Sequence, residues 1–226
     1  MQIKQVGMLI AMALFASGLA AHARAYPAAP AGFADERPGV ARGRMEEFGY
    51  DSVITGTRRK ARVYLPPGYP GGRRYPVLYL LHGIAGNQDE WSGYVRANTI
   101  LDNLIADGEA VPMIVVMRNG RALADDAPPP ADRVFTPAHV AGFANFEREL
   151  PRVPIAAIDG HYPTLAERGQ RAVAGLSMGG GRALDIGLGH PDSFATRGRP
   201  ASCRPSRRAC AAAGGCCICR AGTRTG

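Results

Sequence analysis

No cysteine precedes Cys203 in this 226-residue chain, and no aspartate, glutamate or histidine follows Asp192. The first absence removes disulfides and thiolate-bound metal from the body of the protein. All five cysteines (Cys203, Cys210, Cys216, Cys217, Cys219) crowd into the tail. Their odd number and one adjacent pair make a poor disulfide framework. The alternative, a zinc site, has no histidine after Cys203 and no ordinary finger spacing, so no metal is expected. Long apolar runs are also scarce. The one of note, Val6 to Ala20, is short for a membrane span.

That run follows Lys4 and leads into Ala21-His22-Ala23 and Ala23-Arg24-Ala25, two small-x-small cleavage sites. Residues 1–25 therefore read as an export signal, with an uncleaved anchor as the alternative. The mature chain is expected to begin near Tyr26, off the membrane, in the periplasm or outside the cell.

Net charge is small in the body once the ends are set aside. The net charge is +8, from 27 basic and 19 acidic residues. Two of the bases lie in the signal (Lys4, Arg24). Seven more lie after Ala195, at Arg197, Arg199, Arg204, Arg207, Arg208, Arg220 and Arg224, and neither stretch holds an acid. Removing those nine leaves 18 bases against all 19 acids, a near-neutral body with no electrostatic reason to bind nucleic acid.

What is present is a globular composition, 46% hydrophobic and 20% charged, with room for one domain. Residues 26–43, rich in Pro, Ala and Gly, read as a flexible lead-in. Met45 to Ser52 and Arg59 to Leu65 read as a hairpin turning at Thr55-Gly56-Thr57. Tyr75 to Leu81 and Pro112 to Met117 are near-continuous apolar runs, as strands buried on both faces read. Between them Ala97 to Ala106 spaces Ile100, Leu101, Leu104 and Ile105 as a helix does. Phe143 to Ile158 has helical character but holds Pro151 and Pro154, so a break there, or a local sequence error, is expected. Arg171 to Gly175 is a third buried-type strand and Met178 to Gly189 a helix. Strands alternating with helices indicate an α/β fold, a mostly parallel sheet with helices on both faces.

Gly175-Leu176-Ser177-Met178-Gly179 sits between that last strand and helix. A sharp strand-to-helix turn strains the serine, and side chains two residues away on either side would collide. The turn lifts the hydroxyl to a helix N-terminus, where developing negative charge is favoured. Ser177 is the candidate nucleophile, the alternative being an ordinary capping serine. The loop His82-Gly83-Ile84-Ala85-Gly86 closes the first core strand. Acyl transfer needs two backbone N–H groups at the oxyanion, and Met178 and Ile84 are the candidates. Gly83 belongs to that loop. His82 is read as its support rather than as a catalytic base.

These residues, with Tyr64-Leu-Pro-Pro-Gly-Tyr69, Tyr75-Pro-Val-Leu-Tyr-Leu-Leu-His-Gly83, Asp89-Glu90-Trp91, Arg96-Ala-Asn98 and Asp102-Asn103-Leu104-Ile105, resemble the feruloyl and acetyl-xylan esterases. That group also includes enterochelin esterases, S-formylglutathione hydrolase and mycolyltransferases. The resemblance runs from about Met45 to Ala195. It implies an α/β-hydrolase fold with no cofactor, and hydrolysis of a small ester or acylated polysaccharide through an acyl-enzyme. Export favours the polysaccharide-decorating branch. Acyl transfer to a sugar, and a non-catalytic remnant binding carbohydrate through Trp91, are the alternatives, although a lone Trp is more often packing than a sugar platform.

In this fold the triad runs Ser, then Asp or Glu, then His. After Ser177 only Asp185, His190 and Asp192 remain. All three sit on or just after the nucleophile helix, too near to be the family's acid and base. The triad Asp and His are thus expected to be absent, along with the C-terminal strands, leaving residues 44–195 as a partial catalytic domain. From Arg197 onward the composition is Arg, Ala, Cys, Gly, Pro, Ser and Thr, with Ile218 the only large aliphatic residue. A reading-frame slip between about Ala195 and Arg197 is expected, giving a disordered tail over 196–226. A genuine basic tail binding acidic polysaccharide or nucleic acid is the competing reading.

Overall fold

The computed structural model describes residues 28–151 and 153–195. The signal at 1–25, the cysteines, the frame slip and the 196–226 tail lie outside the described residues.

Five strands form one sheet: β1 (Arg44–Asp51), β2 (Arg58–Leu65), β3 (Val77–Leu81), β4 (Ile114–Arg118) and β5 (Arg171–Gly175), in the order β1-β2-β4-β3-β5. β1 and β2 form the expected hairpin, Arg44 opposite Leu65 and Asp51 opposite Arg58. β2 joins β4 antiparallel, whereas β3 lies parallel between β4 and β5. Parallel pairing is thus confined to the half of the sheet that carries the glycine loops.

Strand alternation sorts side chains to two faces. Val77, Tyr79, Leu81, Ile114 and Val116 pack on one, with Phe146, Ile158 and Ile186 from three helices. These are α2 (Pro137–Glu149), α3 (Pro154–His161) and α4 (Met178–Gly189). Leu78, Leu80, Val115 and Met117 face the other side and meet α1 (Ala97–Ala106) through Ala97 and Leu101. Helices on both faces, as expected, bury β3 and β4 completely.

Two boundaries differ from the sequence reading. α2 begins at Pro137 rather than Phe143. Thr136 caps it by accepting the His139 N–H, and Pro137 occupies the first turn, where no donor is needed. The break near Pro151 is real, and Pro154 simply opens α3. The prolines mark a helix boundary and need no sequence error. The lead-in, read as flexible, is held against α1 over its described part. Arg37 pairs with Asp107 at 2.9 Å, and the Asn103 amide donates to the Asp35 carbonyl at 2.9 Å. At its end the Gly43 N–H donates to buried Asp102 at 2.8 Å.

Candidate active site

Ser177 stands between β5 and α4 with φ 52° and ψ −115°. A non-glycine residue holds such a conformation only where its surroundings enforce it, at an order of 1–3 kcal/mol. Here they do. The β3–β5 ladder runs on past Gly175, the Leu176 N–H donating to the Leu81 carbonyl at 3.1 Å. The chain then reverses at once, the Gly179 N–H returning to the Leu176 carbonyl at 2.9 Å. A Cβ on Gly175 would strike the Gly179 backbone, and one on Gly179 would strike the His82 and Leu81 carbonyls. Ser177 is exposed and makes no capping hydrogen bond, so it is not an ordinary N-cap.

The same close approach brings the His82–Gly86 loop to the turn. A Cβ on Gly83 would lie 4.0 Å from the Leu176 carbonyl. Four groups hold this loop. His82 Nδ1 bonds the Gly83 carbonyl at 2.6 Å, and the Gly83 N–H points to the Glu90 carboxylate at 3.4 Å. His139 Nε2 bonds the Ile84 carbonyl at 3.1 Å, and the Arg121 guanidinium donates to the Gly86 carbonyl. Among the described residues, the N–H groups of Ile84 and Met178 have no acceptor.

His82 is fully buried. Its Nε2 accepts the Gly120 N–H at 2.8 Å, so Nδ1 carries the proton that the Gly83 carbonyl receives. Burial pulls its pKa down to about 4, with the Gly83 and Asn119 contacts opposing, so the ring is neutral near pH 7. A neutral imidazole spending both nitrogens on backbone serves as a strut.

Trp91 reads in sequence as packing or, alternatively, as a sugar contact. It lies in a short π-helical turn, Glu90–Tyr94, and is 6% exposed, packed with Leu78, Leu80 and Met117. Its indole is core and offers no platform to a sugar. Asp185 pairs with Arg182 at 2.9 Å, His190 ends α4 and Asp192 is exposed. Among the described residues no imidazole or carboxylate hydrogen-bonds Ser177, and no group of three His, Cys, Asp or Glu side chains could hold a metal.

Sequence reading missed His139, Arg121 and Glu90. Thr136-Pro137 was a legible helix start that would have placed His139 in a first turn. Nothing local signals that its ring reaches residue 84.

A strained serine thus stands at a strand–helix turn, beside a loop whose Ile84 N–H has no acceptor among the described residues. The Esterase family model matches residues 52–206. The chain belongs to that family. The match runs past Ala195, where the sequence reading ended the resemblance. An endo-1,4-beta-xylanase/feruloyl esterase of Xylanibacter ruminicola is 38% identical over 175 residues, which is 74% of this chain and 23% of that protein. The endo-1,4-beta-xylanase Y of Acetivibrio thermocellus is 32% identical over 141 residues, 56% of this chain and 11% of that one. Among solved structures, a CE1 ferulic acid esterase from Anaeromyces mucronatus, bound to ferulic acid, superposes with TM-score 0.66 at 32% identity. That superposition covers 73% of this chain and 60% of that one. The chain thus spans about a quarter or less of these two xylanases and three fifths of the solved esterase. The fold is the α/β-hydrolase fold, and the relatives that the chain resembles include feruloyl esterases.

Proposed function

We propose that this chain is the nucleophile-bearing part of an exported serine carboxylesterase acting on feruloyl or acetyl esters of plant cell-wall polysaccharide. The observation that carries this is Ser177, exposed and strained at the head of α4. Its hydroxyl attacks the ester carbonyl and the alcohol leaves, giving an acyl-enzyme that water cleaves. The N–H groups of Met178 and Ile84 take the oxyanion, and the α4 dipole adds to them. The relatives that are feruloyl esterases, one of them with ferulic acid bound, support the substrate class.

Attack needs a base to take the serine proton, and none of the described residues supplies it. No histidine follows His190. The 226-residue chain is therefore expected to turn over at least roughly 10⁴-fold more slowly than a complete triad enzyme.

The test is ferulate release from methyl ferulate and acetate release from acetylated xylan, by the chain and by Ser177→Ala, with and without a free sugar acceptor. Slow release that Ser177→Ala abolishes supports the reading. Equal release by both proteins rejects Ser177 as nucleophile, and ordinary esterase rates reject the missing base. Acylated sugar as the main product would favour acyl transfer.

A further inference from the structure

We propose that His139 is a positioning residue for the oxyanion site: by holding the Ile84 carbonyl it fixes the peptide plane that follows Ile84 and so keeps the loop that presents the Ile84 N–H in one conformation. This rests on the esterase reading above and extends it to a residue outside every motif in the chain.

Ile84 is joined by two peptide planes, and each is gripped through its carbonyl. A trans peptide holds its N–H and C=O in opposite directions, so gripping the oxygen aims the nitrogen. In the plane before Ile84, His82 Nδ1–H holds the Gly83 oxygen at 2.6 Å, with the Gly86 N–H adding a second donor at 3.2 Å. This plane contains the Ile84 N–H. In the plane after it, His139 Nε2 holds the Ile84 oxygen at 3.1 Å. A carbonyl only accepts, so Nε2 carries the proton in this bond. With both planes fixed, neither φ nor ψ of Ile84 can turn freely. Without His139 the second plane, which carries the Ala85 N–H, is released, the loop can turn about Ile84 ψ, and the Ile84 N–H rests on the contacts to the Gly83 oxygen alone.

His139 is built to hold still. It is 6% exposed, in the first turn of α2 beneath the Thr136 cap. Its ring meets Phe143, one turn on, edge to face at 5.9 Å. Phe143 in turn meets His82 at 6.3 Å, so one aromatic side chain spaces the two gripping imidazoles. α2 is also tied to the nucleophile helix, Glu147 pairing with Arg182 of α4 at 3.0 Å. One helix thereby sets the loop and the serine against each other. A donor fixed in advance stabilises an oxyanion more than one that must be ordered during the reaction.

The test compares the chain with His139→Phe, which keeps an aromatic ring and loses the donor, and His139→Gln, which supplies another N–H donor. Two properties are followed: the second-order rate of fluorophosphonate labelling at Ser177, corrected for folded fraction, and amide hydrogen exchange at Gly86, whose N–H bonds the Gly83 carbonyl. The proposal expects labelling about 10- to 100-fold slower in His139→Phe, below the loss for deleting a whole oxyanion donor, and partial rescue in His139→Gln. Exchange at Gly86, whose N–H closes the loop on the Gly83 carbonyl, is expected to quicken in His139→Phe, with β3 unchanged. Unchanged labelling per folded molecule in His139→Phe, or equal slowing in both variants, overturns it. If the unsubstituted chain is not labelled at all, the nucleophile reading fails. The exchange result then decides the clamp alone: local quickening upholds it, and unchanged exchange ends it.

Discussion

β3 and β5 lie side by side in the sheet, five residues each, and both read in sequence as strands buried on two faces. β3 is buried at every position. In β5 only Arg171 is buried, and its guanidinium folds back to Asp159 at 2.6 Å. The difference is a neighbour. β3 has β4 on one side and β5 on the other, whereas β5 has β3 alone among the described strands. Beyond β5, the Ala195 N–H reaches the Arg171 carbonyl at 3.4 Å. Leu184 and Leu188 on the outer face of α4 are 66% and 70% exposed. An apolar strand sequence thus specifies a place between two partners, of which β5 has one among the described residues.

The largest effect should come where the start of α4 meets the end of β3. Gly179→Val drives a side chain into the backbone carbonyls of Leu81 and His82, which cannot yield as a flexible side chain would. A loss above about 3 kcal/mol in urea denaturation is expected, together with loss of fluorophosphonate labelling.

Acid is the next lever, and it acts on the β3 side. His82 has a native pKa of about 4 against an ordinary 6.5. Between those values the unfolded chain binds the proton that the native chain refuses, so stability falls as pH drops through that window. The expected loss is on the order of 3 kcal/mol by pH 4, with none of it present above pH 7. Denaturant midpoints measured at pH 7.5 and 4.5 should converge in His82→Gln, which cannot titrate.

Gly181→Ala sharpens the contrast with Gly179 on the same helix. Nothing lies within 4 Å of a Cβ there, so the variant should be neutral or gain up to about 1 kcal/mol in thermal unfolding. The smallest change in folding energy should come from Leu184→Lys with Leu188→Glu, within about 0.5 kcal/mol. Light scattering should nevertheless show less self-association in that pair, because the exposed apolar face beside β5 is broken.

Elements whose cause is local were legible. α1 and α4 stand at the residues their periodicity and flanking turn predicted, and the glycine spacing around Ser177 foretold its strained backbone. Contacts across the chain were not. Trp91 reads like a loop aromatic, yet a π-helical turn carries it into the core. The Pro- and Gly-rich lead-in looks loose in composition, because the bonds from Arg37 and Asn103 join partners more than 60 residues apart. His139 sits 55 residues from the carbonyl it holds, and no periodicity encodes that pairing.

The central claim is that the turn between β5 and α4 presents Ser177 as a nucleophile. Intact-mass and peptide mapping after prolonged exposure to a fluorophosphonate tests it most directly. One adduct per chain, on Ser177 and absent from Ser177→Ala, is the predicted result. An unmodified chain, or an adduct that persists in Ser177→Ala, would contradict it.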